Sequence, residues 1–121
     1  MEALRYFFSY ARKDAAFVLR LAQELREVGI NLWLDQLDIL AGQRWDRAVE
    51  EALVTCQGMI VALSPASVAS QNVMDEVSYA LEEGKLVVPI LLRPCALTFR
   101  LRRVQYIDFT EVITEASTKN L

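Results

Sequence analysis

Arg5-Tyr-Phe-Phe-Ser-Tyr-Ala-Arg-Lys-Asp14 is the stretch that decides the fold. Leu4 to Ser9 is a short apolar and aromatic run bounded by charge, which suits a strand buried on both faces of a parallel sheet. It ends in polar side chains, and Asp14 then opens a helix whose apolar positions Phe17, Val18, Leu21, Ala22, Leu25 and Val28 follow the i, i+3, i+4 rule. Gly29 stands where a helix-ending glycine is expected. A strand that hands directly to a helix belongs to an open α/β sheet. With no glycine at that turn, the site is not a glycine-rich phosphate cradle.

The remainder repeats the alternation. Ile30 to Leu34 reads as a second strand, and Asp35-Gln-Leu-Asp-Ile-Leu-Ala-Gly-Gln43 as a loop. The next helix has Trp45, Ala48, Val49, Ala52 and Leu53 on one face and Asp46, Arg47, Glu50 and Glu51 on the other. Met59 to Leu63 is unbroken in its hydrophobicity and is therefore expected at the centre of the sheet, where Ser64-Pro65 stops it. A helix with Val73, Val77, Ala80 and Leu81 on its core stripe ends at Gly84. Lys85 to Leu92 supplies a fourth strand, although Pro89 removes a ladder donor. Arg93 to Arg103 is mostly loop with one helical turn, and Val104 to Phe109 is a short last strand. Such alternation predicts a parallel sheet with helices on both faces. Thr110 to Leu121 offers only Val112, Ile113 and Ala116 as apolar anchors and would cover one face thinly. The single domain, 1–121, is thus expected to belong to a longer protein, to lack a full last helix, or to meet a partner surface there.

Composition narrows the function. A chain of 121 residues with 54% hydrophobic content fits one domain with one core. A net charge of −3 argues against a general nucleic-acid binder, which needs a concentrated basic surface. No signal-like start and no membrane-length apolar run appear, so a soluble, cytoplasmic domain is expected. Cys56 and Cys95 lie in or beside apolar stretches and read as buried reduced thiols. The chain contains no histidine, which removes Ser-His-Asp and Cys-His nucleophile systems and most catalytic zinc sites. Acid-base and electrostatic work falls to carboxylates, Lys, Tyr or Ser, and no metal site is expected. Gly29, Gly42, Gly58 and Gly84 match neither the dinucleotide fingerprint nor the P-loop. A phosphoacceptor receiver domain would need acidic residues where Ser9-Tyr10 and Ser64 stand.

Ligands of open α/β sheets bind beyond the carboxyl ends of the strands, where strand order reverses. That rule selects the loop with Ser9, Tyr10 and Arg12 and the segment from Ser64 to Glu76. Glu76 lies beside Val73 and Val77 at the border of the core stripe. Its spacing favours an ordinary solvated boundary carboxylate, and the alternative is a partly desolvated one able to stabilise developing positive charge. Of the rings Tyr10, Trp33, Trp45 and Tyr79, Tyr10 is best placed to stack on a base, while Trp33 and Trp45 read as core. Arg12 can pair with a phosphate or simply lead the helix into solvent. Arg93, Arg100, Arg102 and Arg103 read as a solvated rim, with assembly or phosphate contact as the alternative.

Taken in order, several segments resemble one family, the TIR domains of bacterial type. The carriers are Phe7-Phe8-Ser9-Tyr10 with Lys13-Asp14, Gly29 to Asp35, the loop ending Leu40-Ala41-Gly42, Leu63-Ser64-Pro65, Ser70 to Glu76 with Ala80-Leu81, and Val88-Pro89-Ile90. The likeness runs from about Tyr6 to Phe109. It implies a flavodoxin-like three-layer sandwich with a five-stranded parallel sheet of order 2-1-3-4-5. It also implies an enzyme that cleaves the nicotinamide-ribose bond of NAD+ as substrate, with no cofactor, when clustered with other TIR domains in immune or effector signalling. Glu76 occupies the position of the family's catalytic glutamate. Ser9, Tyr10, Arg12, Asp35, Leu40, Ala41, Gly42, Ser64 and Asn72 match positions around the nucleotide or its mobile loop. Asn72 departs from the tryptophan many enzymatic members carry there. The family also contains adaptors that only assemble with other TIR domains, which is the alternative function.

Overall fold

In the computed structural model, which describes residues 4–35, 45–97 and 99–110, five parallel strands form one sheet in the order β2-β1-β3-β4-β5. The elements run β1 (Arg5–Ser9), α1 (Ala15–Glu27), β2 (Asn31–Trp33), α2 (Trp45–Thr55), β3 (Gly58–Leu63), α3 (Pro65–Val68), α4 (Gln71–Glu82), β4 (Leu86–Leu91) and β5 (Ile107–Asp108). Two 3₁₀ turns, Arg12–Asp14 and Leu101–Arg103, join them. β3 is buried along its whole length, as its unbroken apolar run requires, and lies between β1 and β4.

Side-chain alternation divides the strands between two cores. Phe7, Trp33, Met59, Val61 and Leu63 face Ala48 and Ala52 of α2 and Val73, Val77 and Ala80 of α4. Phe8, Leu32, Leu34, Ile60, Ala62 and Ile90 face Val18 and Ala22 of α1. Trp33 stacks on Phe7 with ring centroids 5.3 Å apart, so it is core, as its sequence context suggests. On the α1 face Phe17 meets Phe109 edge to face at 6.3 Å. The thin cover expected from the last eleven residues, 111–121, and the side chain of Trp45 lie outside the described residues.

Pro89 is tolerated for a directional reason. Leu92 donates its N–H to Leu63 while Leu91 accepts from Phe109, so odd-numbered residues of β4 turn their peptide groups toward β5. Pro89 lies on that side, ahead of the two-residue β5, which pairs only with Ile90 and Leu91. Val28 departs from the expected core stripe and is 75% exposed. The helix ends at Glu27, and Gly29 at φ 94° turns the chain away, so Val28 falls outside the helical register.

Ser64-Pro65 does more than stop β3. Ser64 caps α3 with a reciprocal box: its hydroxyl accepts from the Ser67 N–H, and the Ser67 hydroxyl accepts from the Ser64 N–H. Ser70 then accepts from the Val73 N–H at the start of α4. The separate short helix α3 was not anticipated, because four residues are too few to show periodicity. Cys56 is buried and Cys95 only half-buried, against the expectation for the latter. Burial pushes both thiols up, which disfavours the thiolate form.

Candidate functional site

The strand ends place the site. Phe7 and Ser9 share the face turned toward α2 and α4, and Ser9 Oγ donates a 2.8 Å hydrogen bond to Oε1 of Glu76 on α4. The next residue, Tyr10, packs on the opposite core and meets Phe8 edge to face at 6.4 Å. Its phenol donates to Oδ1 of Asp35, just past β2, at 2.5 Å. Ser64 continues β3 in extended conformation on the parity of Ala62 and so turns to the α1 side. There its hydroxyl donates to Oδ2 of Asp14 at 2.6 Å. Two serines at the ends of neighbouring strands therefore reach carboxylates on opposite sides of the sheet.

A crevice of about 730 Å³ opens between the turn after β1, α2 and the start of α4. Tyr10, Arg12, Asp35, Asn72 and Glu76 line it, so five of the residues selected from sequence come together there. Ser9 stands beneath, 1% exposed, and reaches the crevice only through Glu76. Ser64 is also 1% exposed, with its hydroxyl engaged by Asp14 and the Ser67 N–H, and it does not line the crevice. Leu40, Ala41 and Gly42 lie outside the described residues.

Other lining residues carry no site role in the sequence reading: Asp46, and Lys13, Ser70 and Asp75, which lie in segments that carry the family likeness. Asp46 and Asp75 look like ordinary solvated positions of amphipathic helices, since periodicity registers the core face and is silent on which polar residues border a crevice. Asp14 was read as the start of a helix. It occupies the N-cap of α1, yet its side chain makes no capping bond and is buried, held by Ser64 instead.

Electrostatics distinguish Glu76. Burial raises its pKa to about 7, the bond from Ser9 opposes that rise, and the charges of Asp35 and Asp75 add to it. The Tyr10 phenol is pushed well above its ordinary value, chiefly by burial and then by its bond to Asp35, so it stays a neutral donor. A carboxylate so placed can ionise at neutral pH, hold hydroxyls and stabilise a cation forming beside it. Among the described residues no group of three or more Cys, Asp or Glu is placed to hold a metal ion, and no helix is long and apolar enough to cross a membrane.

Sheet order, helices on both faces and a carboxylate-bearing crevice at the strand ends define a flavodoxin-like α/β domain. The TIR domain family model matches residues 7–121, and the chain belongs to that family. Among solved structures, the TIR domain of the Toll-related receptor TRR-2 from Hydra magnipapillata superposes with a TM-score of 0.78 at 22% identity, covering 95% of this chain and 92% of that one. The TIR domains of the activated Roq1 resistosome, which directly recognises the pathogen effector XopQ, give 0.63 at 21% identity, covering 74% and 57%. The CMP N-glycosidase BcmB of Clostridium botulinum gives 0.62 at 19% identity, covering 97% and 99%. No curated protein sequence matches the chain significantly.

Proposed function

We propose that this TIR domain cleaves the N-glycosidic bond between nicotinamide and ribose in NAD+, with Glu76 as the catalytic carboxylate, and acts when clustered with further copies. The observation that carries the reading is the half-buried Glu76 carboxylate, fixed by Ser9 at 2.8 Å on the wall of a crevice large enough for a nucleotide. Similarity to an N-glycosidase over nearly the whole chain supports a bond-breaking role of this class.

The reaction needs little more than this arrangement. As the C–N bond breaks, its electron pair leaves with nicotinamide and the ribose carbon becomes an oxocarbenium ion. A carboxylate beside that carbon is worth most in the transition state, where the positive charge resides. Glycoside hydrolysis uses carboxylates on the same logic. Water then adds to the sugar carbon and loses a proton, giving ADP-ribose; attack by a group of the nucleotide itself would give a cyclic product. Tyr10 presents a ring to a base, Arg12 presents a cation to the phosphates, and Asn72 offers amide hydrogen bonds in place of a stacking ring. Clustering completes the site if a neighbour's loop closes over the nucleotide and holds the reacting geometry.

The test is to follow free nicotinamide from NAD+ with artificially oligomerised protein, wild type against Glu76→Ala. Release by the wild type and its loss in the variant are expected. No release from an intact assembly would sink the enzyme reading, and equal rates would sink Glu76. The second reading, an adaptor working through TIR–TIR contact, draws on the likeness to a receptor TIR domain. It requires binding to another TIR domain that survives Glu76→Ala and is lost when residues 35–44 are replaced.

A further inference from the structure

We infer that Asp14 is a positioning residue: through Ser64 it ties the turn carrying Arg12 and Lys13 to the start of α4, which carries Asn72 and Glu76. The inference rests on the proposed NAD+ site and assigns Ser64 to the strut beneath it, with no ligand contact of its own. The bonds form a continuous path. Asp14 Oδ2 accepts from Ser64 Oγ at 2.6 Å, and Ser64 Oγ accepts from the Ser67 N–H at 3.1 Å. Ser67 O accepts from the Ser70 N–H at 3.0 Å, and Ser70 Oγ accepts from the Val73 N–H at 3.3 Å. Asp14 is 7% exposed, Ser64 1% and Ser67 0%, so water does not compete at the first links.

A carboxylate with this burial has a simpler local use, as cap of the helix it precedes, and Asp14 forgoes it. Its bond crosses 50 residues of sequence instead. A second tie, from Ser9 to Glu76, holds α4 one turn further along. The two ties differ in what they control. Ser9 touches the catalytic carboxylate, while the Asp14 path sets the separation of the two crevice walls. Cutting the Asp14 path therefore displaces Arg12, which meets the phosphates, remote from the bond that breaks, along with its crevice neighbours Lys13 and Asn72, and leaves Glu76 held by Ser9. Interactions of that kind appear in KM more than in kcat.

The experiment compares wild type, Asp14→Ala, Ser64→Ala and Asp14→Asn, whose amide oxygen can still accept the Ser64 hydroxyl. Expected for Asp14→Ala and Ser64→Ala are amide hydrogen exchange at Ser67 to Val73 faster by tenfold or more, an NAD+ KM higher by about tenfold, kcat within about threefold, and an unmoved acid limb of the pH profile. Asp14→Asn should restore both exchange and KM. Unchanged exchange in Asp14→Ala overturns the strut, as does a fall in kcat with KM unchanged. Should Ser64→Ala fail to fold, the pair Asp14→Ala and Asp14→Asn decides alone. If the clustered wild type leaves NAD+ intact, the functional reading fails instead, and the exchange data still decide whether the strut exists.

Discussion

Ser9 Oγ donates to Glu76 Oε1 at 2.8 Å across 67 residues of sequence, and the bond opposes the effect of burial on the same carboxylate. Desolvation favours the protonated acid, whereas a hydroxyl donor favours the anion. The balance leaves Glu76 titrating at about 7. Its ionisation is thereby coupled to the side chains around it, and each coupling has a sign.

Replacing Ser9 by alanine removes the donor that favours the anion. The acid limb of the pH profile for nicotinamide release should then move upward by about one to two units, since a hydrogen bond to a charged group is worth about 1.5–3 kcal/mol and one unit about 1.4 kcal/mol. A limb that stays put would show that Ser9 does not tune Glu76.

Asp35→Asn and Asp75→Asn should move the same limb the other way. Both charges raise the Glu76 value, so neutralising either one eases ionisation and carries activity to lower pH. The measurement is kcat/KM against pH for the two variants, and an upward shift in either would refute the assignment.

Glu76→Gln should stabilise the fold in alkaline solution. The folded value, about 7, lies above the ordinary 4.5, so the contribution of Glu76 is fully present below 4.5 and is lost as pH rises through 7. Thermal unfolding at pH 5 and pH 8.5 should show the variant gaining on wild type by about 2 kcal/mol between the two. An equal difference at both pH values would mean that the carboxylate is not desolvated.

Gly58→Ala should cost about 1–3 kcal/mol, the usual penalty for overfilling a packed site. A Cβ at that position would meet the Tyr6 ring at 2.7 Å and the backbone oxygen of Leu86 at 3.1 Å. The ring can shift, but the carbonyl is fixed by its place beside the β3–β4 ladder. Denaturant unfolding would read the loss, and an unaltered midpoint would show that the strand end relaxes freely.

Much of the fold is legible because burial in a parallel sheet writes itself as local composition. Met59 to Leu63 announced the central strand, and the stripe of Val73, Val77 and Ala80 announced the helix beside it. Val28 was misplaced because apolar spacing continues one residue past the point where Gly29 turns the chain. The strand-end rule and the family resemblance together selected Tyr10, Arg12, Asp35, Asn72 and Glu76, which share one crevice. The same signals could not tell Ser9 and Ser64 from crevice residues, since a serine at a strand end reads alike whether it meets solvent or a buried carboxylate.

From the sequence alone came the α/β class, the strand and helix identities, the exclusion of histidine chemistry and the choice of Glu76. The first three depend on residue type and on periods of two or 3.6 residues, whereas the choice of Glu76 came from the strand-end rule and, above all, from the family resemblance. Only the tertiary structure decided which hydroxyl meets which carboxylate: Ser9 with Glu76, Tyr10 with Asp35, Ser64 with Asp14. The reason is that partners 67, 25 and 50 residues apart are brought together by sheet order, and the face each side chain takes is set by its parity along its strand.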